Sequence, residues 1–227
     1  DLTKTIALIG PSAQVAQLDG FGSSWVDPPY AITPHQGLQN KIPANQIQYA
    51  KGCDINSSNT SMFNEALEIA GAADYVIFVG GLDDTQEGEY YGDGPSDRTG
   101  GSVELPGKQQ ELIKELATVN PNIIVVIKSG GICAVPDAID DIKGFLYAFY
   151  PGMEGGNAIA DVIYGDYNPG GKLPVTMPVN DAQMPVWNDD FSDDHNGGYR
   201  YYDELGLTPQ FAFGHGLSYT TFAYNNI

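Results

Sequence analysis

The sequence predicts an α/β fold, a three-layer sandwich in which a mainly parallel sheet is flanked by helices, with long loops at the carboxyl ends of the strands. Three observations lead to this prediction. Short apolar runs rich in β-branched residues alternate along the chain with segments of helical periodicity. One of these runs, Tyr75–Val79, is apolar throughout, as strands are when helices cover both faces of a sheet. Long polar or Gly-rich segments follow several of the runs.

The amino-terminal part of the chain contains two strand signals with a helix between them. Thr5–Ile9 is predicted to be a strand that ends at a Gly-Pro pair, and Ile47–Ala50 is predicted to be a short strand. A Gly/Ser/Pro-rich segment, Leu18–Tyr30, is predicted to be a loop. Thr33-Pro34 then begins a helix, because Thr is a favoured N-cap and Pro a favoured first helical residue.

The middle of the chain repeats this order around one long loop. Ser61–Ala70 has its apolar residues at helical spacing, and Tyr75–Val79 is a fully apolar strand. A polar loop, Gly80–Leu105, follows that strand. Pro106–Leu116 is predicted to be the next helix, with an apolar face directed toward the sheet.

Two further strands and one helix complete the predicted sandwich. The strands are Ile123–Ile127 and Phe145–Phe149, and the helix is Asn157–Tyr164. The rest of the chain is rich in Gly, Pro, Asp and aromatic residues and shows little periodicity. It is predicted to form ordered loops, with one more strand near Leu173–Met177 as the single exception.

The chain is predicted to form a single domain over residues 1–227. Parallel strands place their carboxyl ends at one edge of the sheet, and ligands of such folds bind at that edge. The loops Leu18–Tyr30, Gly80–Leu105 and Ser129–Val135 all leave the ends of predicted strands. We therefore expect these three loops to gather around a functional site.

Composition excludes several classes of partner. The formal charge is −19 and the isoelectric point about 4.1. A polyanion is repelled by phosphate backbones and anionic lipids, so neither nucleic acid nor a membrane is an expected partner. The two cysteines and three histidines lack the spacing of a metal site, and neither a metal nor a cofactor is predicted. Residue 1 is not Met, which favours a processed product or an excised piece of a longer chain.

The loop Gly80–Leu105 is the segment most suited to chemistry. Its length exceeds what a simple connection needs. It could be a solvated acidic loop, a Ca²⁺ site or a general acid/base site, although the EF-hand spacing is absent. Tyr90 and Tyr91 lie among the acids, and aromatic faces beside carboxylates suit sugar rings. The loop carries seven carboxylates: Asp83, Asp84, Glu87, Glu89, Asp93, Asp97 and Glu104.

Several long motifs resemble the carboxy-terminal α/β sandwich domain of family 3 glycoside hydrolases, the β-glucosidases and β-xylosidases. The acidic loop matches the pattern GLDxTxExE…DR…LPGxQxxLI. KTIALIGPSA matches the opening of that domain, and YAKGCDI, GGYRYYD and FAFGHGLSYTTFAY match further family segments. FGSSWVDPPYAITPHQGL and YPGMEGGNAIADVIYGDYNPGGKLPVTMP match two longer ones. These motifs occur in the family's order and cover nearly the whole chain.

The resemblance implies a retaining mechanism that uses two carboxylates. One is a nucleophilic Asp, which in this family lies on a preceding TIM-barrel domain that the chain lacks. The other is an acid/base Glu on the acidic loop, and the second Glu of the ExE pattern is Glu89. Glu87 is the second choice, because this loop has extra residues before Asp97-Arg98 and has Tyr90 where the family usually has Gly.

Four residues are candidates for substrate binding: Trp25, Tyr90, Tyr91 and Arg98. For Trp25 the alternative is a role in domain docking, and for Arg98 it is an ion pair that holds a loop. Ser129-Gly130-Gly131 follows a strand as phosphate-binding turns do. No P-loop or dinucleotide motif accompanies it, so nucleotide binding is not predicted.

The resemblance implies one domain of a secreted or periplasmic exo-β-glycosidase that releases terminal glucose or xylose from oligosaccharides or glycosides. The sequence does not decide between the two sugars. Without the barrel and its Asp, the chain alone is expected to be catalytically incomplete. The alternative function is that of a non-catalytic carbohydrate-binding module.

Overall fold

The architecture of the protein is known from a computed structural model, which describes residues 1–20, 24–87, 102–185 and 197–223. Its centre is a five-stranded sheet in which all neighbouring strands are parallel, in the order β2-β1-β3-β4-β5. The strands are β1 (Ile6–Ile9), β2 (Ile47–Ala50), β3 (Tyr75–Gly81), β4 (Ile123–Lys128) and β5 (Gly144–Tyr147). The predicted fold class is confirmed.

Five α-helices belong to the described part of the chain: α1 (Pro34–Gln39), α2 (Phe63–Ala72), α3 (Gln109–Val119), α4 (Gly155–Tyr164) and α5 (Tyr199–Leu205). Short 3₁₀ turns lie at Ala44–Gln46, Ile139–Asp141 and Asp181–Gln183. Helix α1 begins as predicted. Thr33 accepts a hydrogen bond from the amide of Gln36, whose side chain in turn accepts one from the amide of Thr33.

Strand alternation divides the core between the two faces of the sheet. On one face, Ile9 and Phe78 pack with residues of α2 and α3. On the other face, Leu8 and Ile77 pack with residues of α1 and α4. Successive side chains of one strand point to opposite faces, so a strand covered on both sides must be apolar at every position. This explains the continuous apolar runs.

Several local predictions differ from the structure. Helix α3 begins at Gln109 and not at Pro106, because Gly107 has a φ of 65° and cannot belong to a right-handed helix. Strand β5 ends at Tyr147, and Phe149 has a φ of 51°. The strand expected near Leu173–Met177 is reduced to one antiparallel bridge between Met177 and Phe211.

A further difference is helix α5, which lies in a region predicted to consist of loops. It has seven residues and ends at Gly206, whose φ is 64°. Of its residues, Tyr202 is buried. A helix with so little of one face buried leaves no apolar periodicity for sequence analysis to detect.

The strand order places the expected ligand site. Strand β2 lies beside one edge of β1, and β3 lies beside the other edge, so the connections from β1 and from β3 lead in opposite directions along the sheet. Such a switch point opens a crevice outside the carboxyl ends of the two central strands. The loops that follow β1 and β3 therefore border that crevice.

Candidate functional site at the carboxyl edge of the sheet

Loops from four strands meet at the carboxyl edge of the sheet. Gly20 follows β1, Glu87 follows β3, Gly130 follows β4 and Tyr150 follows β5. A Cβ atom placed on Gly20 would lie 3.2 Å from the Tyr150 ring and 3.3 Å from the backbone oxygen of Glu87. A Cβ atom on Gly130 would lie 2.7 Å from the same ring. The absence of side chains at these glycines is what allows the loops to approach.

The carboxylate of Glu87 binds two consecutive backbone amides. The amide of Gly130 donates to Oε2 at 2.7 Å, and the amide of Gly131 donates to Oε1 at 2.5 Å. Charge-assisted bonds of this kind are shorter and stronger than neutral ones. They also favour the ionised form of a carboxylate. Glu87 therefore fastens the beginning of the acidic loop to the turn after β4.

A polar network fixes the orientation of that turn. The hydroxyls of Ser129 and Tyr147 both donate to the carbonyl of Gly131, at 2.7 and 2.5 Å. The amide of Cys133 donates to the Tyr147 hydroxyl at 2.9 Å. Burial is the main cause that raises the pKa of Tyr147. The hydroxyl thus stays protonated, and it can hold the peptide groups around Gly131 at ordinary pH.

Lys128, the last residue of β4, connects the loop after β1 to the carboxyl end of β4. Its side chain is fully buried. Nζ donates to the carbonyls of Ser12, Val15 and Ala16 at 3.3, 2.5 and 2.9 Å. Burial lowers the pKa of Lys128 to about 7. Sequence analysis did not identify this residue, because a lysine at the end of an apolar run is normally solvent-exposed.

The described beginning of the acidic loop is a compact turn. The amides of Gln86 and Glu87 donate to the backbone carbonyl of Asp83 at 2.9 and 3.1 Å. The amide and hydroxyl of Thr85 donate to the Asp83 carboxylate at 3.0 and 2.6 Å. Gln86 is buried, and its side-chain oxygen Oε1 accepts a hydrogen bond from the side-chain amide of Asn56 at 3.3 Å. Asp83 is thereby committed to local structure.

The predicted site residues have different outcomes. Glu89, Tyr90, Tyr91 and Arg98 lie outside the described residues, so their roles stay predictions. Glu87 is described, and its carboxylate is engaged as given above. The glycines that bind it belong to the segment 129–131, which lies in one of the three loops expected at the site and which resembles a phosphate-binding turn. Its amides do bind an anion, and that anion is a carboxylate of the same chain.

Trp25 lies in the loop after β1, and its side chain is 62% exposed. Hydrogen bonds hold the described residues on both sides of Trp25. The amide of Val26 donates to the Asp19 carboxylate at 2.9 Å, and the hydroxyl of Tyr30 donates to the Glu154 carboxylate at 2.6 Å. The indole is thus exposed to solvent, as a sugar platform or a docking contact requires.

The described residues contain no group of three or more His, Cys, Asp or Glu side chains suited to hold a metal ion. Within the same residues, no helix combines the length and the apolar character needed to cross a membrane. Cys53 and Cys133 are both buried.

Comparison with known proteins identifies the family. Residues 2–219 match the model of the glycosyl hydrolase family 3 C-terminal domain. A β-xylosidase from Formosa agariphila is 36% identical over 97% of this chain and 30% of its own length. Thermostable β-glucosidase B from Acetivibrio thermocellus is also 36% identical, over 98% of this chain and 30% of its own length.

A solved structure agrees with these sequence relatives. The crystal structure of the family 3 β-glucosidase from Bifidobacterium adolescentis superimposes with a TM-score of 0.81 at 33% identity. It covers 97% of this chain and 32% of that enzyme. The chain belongs to glycoside hydrolase family 3 and corresponds to the C-terminal domain of its β-glucosidases and β-xylosidases. It spans about a third of the length of these relatives.

Proposed function

We propose that this chain is the acid/base-bearing domain of a retaining exo-β-glycosidase that hydrolyses terminal β-D-glucosyl or β-D-xylosyl residues, with Glu89 as the acid/base. The observation that carries the residue assignment is the bond pattern of Glu87. A general acid must hold a proton near the working pH, and two amide donors oppose protonation of the carboxylate that accepts them. Of the two Glu residues in the ExE pattern, Glu89 is then the one suited to donate a proton.

The proposed chemistry has two steps. In the first, Glu89 protonates the glycosidic oxygen while a nucleophilic Asp attacks the anomeric carbon, which gives a covalent glycosyl-enzyme and releases the aglycone. In the second, Glu89 takes a proton from water, and the water oxygen displaces the Asp from the anomeric carbon. A retaining mechanism of this kind requires the carboxyl groups of Glu89 and the nucleophilic Asp to lie about 5–5.5 Å apart.

The nucleophile is proposed to come from a TIM-barrel domain that docks on this chain. Exposed apolar side chains support such an interface. Val26 is 59% exposed and Phe213 53% exposed. An open apolar groove of about 390 Å³ adjoins the turn after β4 at Ile132 and is lined also by Met184 and Tyr199. Surfaces of this kind usually mark interaction sites.

The proposed substrates are oligosaccharides or glycosides with a terminal β-linked glucose or xylose. Trp25, Tyr90, Tyr91 and Arg98 are the proposed contacts of this chain with the substrate. The relatives reported above include a β-xylosidase and β-glucosidases, so both sugars belong in the first assays. A secreted or periplasmic location is proposed with this function, because polymeric plant and microbial glycans lie outside the cell.

The test uses the complete enzyme, in which this chain is joined to its barrel. Glu89→Ala should lower kcat by about 10²- to 10⁴-fold on substrates with poor leaving groups and by less on activated aryl glycosides. Azide should restore turnover of the activated substrates and give a β-glycosyl azide, because a small anion can replace the water that Glu89 no longer activates. Retained activity without azide rescue would refute the assignment.

The isolated chain distinguishes the alternative function. A carbohydrate-binding module binds sugars without a barrel, whereas the proposed domain alone should neither hydrolyse aryl β-glycosides nor release glucose or xylose. Isothermal titration of the 227-residue chain with cellobiose and xylobiose measures the first property. Turnover near 1 s⁻¹ by the chain alone, a rate typical of enzymes, would contradict the need for a barrel.

A further inference from the structure

We propose that Glu87 is a positioning residue, which holds the acidic loop against the Gly130–Gly131 amides so that the acid/base that follows it is aimed at the substrate. This inference rests on the proposed function of the loop. It gives the first Glu of the ExE pattern a task of its own, one that requires a charged carboxylate.

The binding mode of Glu87 is that of an anchor. Each carboxylate oxygen has its own amide donor, at 2.7 and 2.5 Å, so the side chain is held at two points. Rotation about the last bond of the side chain would break both contacts. An amide side chain at this position has only one oxygen and would leave one of the two N–H groups facing an NH₂ donor.

The receiving turn is rigid enough to serve as a reference point. The carbonyl of Gly131 accepts bonds from Ser129 and Tyr147, which face it from the end of β4 and from β5. A continuous series of hydrogen bonds thus connects the sheet to the turn and the turn to the Glu87 carboxylate. A site supported by strands in this way is more precise than one supported by a free loop.

The anchor stands close to the proposed acid along the chain. Two residues of polypeptide span at most about 7 Å, so fixing Glu87 restricts where the segment carrying Glu89 can begin. The fixed turn formed by Asp83 precedes Glu87. Misplacement of a catalytic group by about 1 Å can cost up to about 100-fold in rate. Loss of the bonds between Glu87 and the two amides should therefore slow proton transfer by the acid/base.

The first experiment measures the anchor itself by hydrogen exchange in the complete enzyme. The amides of Gly130 and Gly131 should be protected in the wild type. Glu87→Gln should accelerate exchange of the peptide that contains them at least about tenfold. Glu68→Gln, which removes one charge from an exposed position on α2, is the matched control and should leave exchange unchanged. Unprotected amides in the wild type would overturn the proposal even if the variant did not fold.

The second experiment asks whether the anchor acts through the acid. Glu87→Gln should lower kcat about 10- to 100-fold for poor leaving groups and much less for good ones, with a smaller effect on KM. The alkaline limb of the pH profile should remain, and azide should give no rescue, because the acid/base is still present. An equal loss for all leaving groups would indicate structural support alone and would overturn the proposal. Azide rescue at Glu87 would make Glu87 itself the acid/base and would overturn it as well.

The two proposals fail separately. Exchange at Gly130 and Gly131 reports the anchor whether or not the enzyme turns over a given sugar. Azide rescue in Glu89→Ala reports the acid/base whether or not Glu87 is anchored. Accelerated exchange in Glu87→Gln together with a selective loss on poor leaving groups is the result that supports positioning.

Discussion

Gln109 binds both backbone groups of Gly81, across 28 residues of sequence: its Oε1 accepts from the Gly81 amide at 2.9 Å, and its Nε2 donates to the Gly81 carbonyl at 2.9 Å. The same Nε2 donates to the carbonyl of Ile55 at 3.0 Å. Gln109 is fully buried. The first residue of α3 thus holds the last residue of β3, where the acidic loop begins.

Gln109→Leu is expected to destabilise the chain by about 2–4 kcal/mol. The substitution keeps the volume but leaves two buried backbone groups, the N–H and the C=O of Gly81, without the partner that Gln109 provides, at about 1–3 kcal/mol each. Urea denaturation followed by circular dichroism measures the change. Gln110→Leu, at the half-buried neighbouring position, is the control and should cost less than about 1 kcal/mol. Equal losses for both variants would contradict the role given to Gln109.

Stability should rise with pH because of Lys128. Its pKa is lowered to about 7 in the folded chain and has its ordinary value, near 10.4, in the unfolded one. Between these values the unfolded state binds more protons, so the free energy of unfolding increases with pH, by at most about 1.4 kcal/mol per pH unit from this group. Below pH 7 the cost of burying the ammonium is present in full.

The measurement compares the wild type with Lys128→Met in urea at pH 6, 7.5 and 9. The stability of the wild type relative to this variant should increase across the series. Lys114→Met, at an exposed position on α3, is the control for loss of one positive charge. A difference between the wild type and Lys128→Met that does not change with pH would contradict the lowered pKa.

Helices α1 and α4 touch through glycines, so Gly37→Ala should destabilise the fold by about 1–3 kcal/mol. A Cβ atom at Gly37 would lie 2.0 Å from the backbone oxygen of Gly156, an approach that only a backbone shift can relieve. Gly71→Ala in α2 is the matched control, since no heavy atom lies within 4 Å of its added Cβ. That variant should be about 0.5–1 kcal/mol more stable than the wild type. Thermal unfolding of the two variants tests both signs at once.

The thiol of Cys53 should be inert in the folded chain. Cys53 is fully buried, and burial raises its pKa to about 12. The reactive species is the thiolate, which is scarce at pH 8 under these conditions. Titration with a thiol reagent should therefore show reaction in 6 M guanidinium and almost none in the native protein. Rapid labelling of native Cys53, identified by peptide mass mapping, would contradict its position in the core.

Sequence periodicity was sufficient to predict the strands of the sheet and the helices that cover it. The predicted strand over Ile47–Ala50 has the observed bounds, and the strand at Ile123 extends one residue further to Lys128. The strand that begins at Ile123 is apolar because helices cover both faces of the sheet there, so its burial produces a pattern that is visible in the sequence of that segment alone. The segment of α5 buries little, and its helix was missed.

The sequence by itself determined the fold class, the family and the loop in which the acid/base is sought, because motifs and apolar periodicity are properties of neighbouring residues. Only the tertiary structure revealed that the Glu87 carboxylate binds two backbone amides, because these partners lie 43 and 44 residues away along the chain. The same holds for Lys128, whose carbonyl partners are 112 to 116 residues away. Whether a carboxylate is an anchor, and whether a lysine is buried, depends on groups that the fold brings near. Spacing within one segment contains no information about those groups.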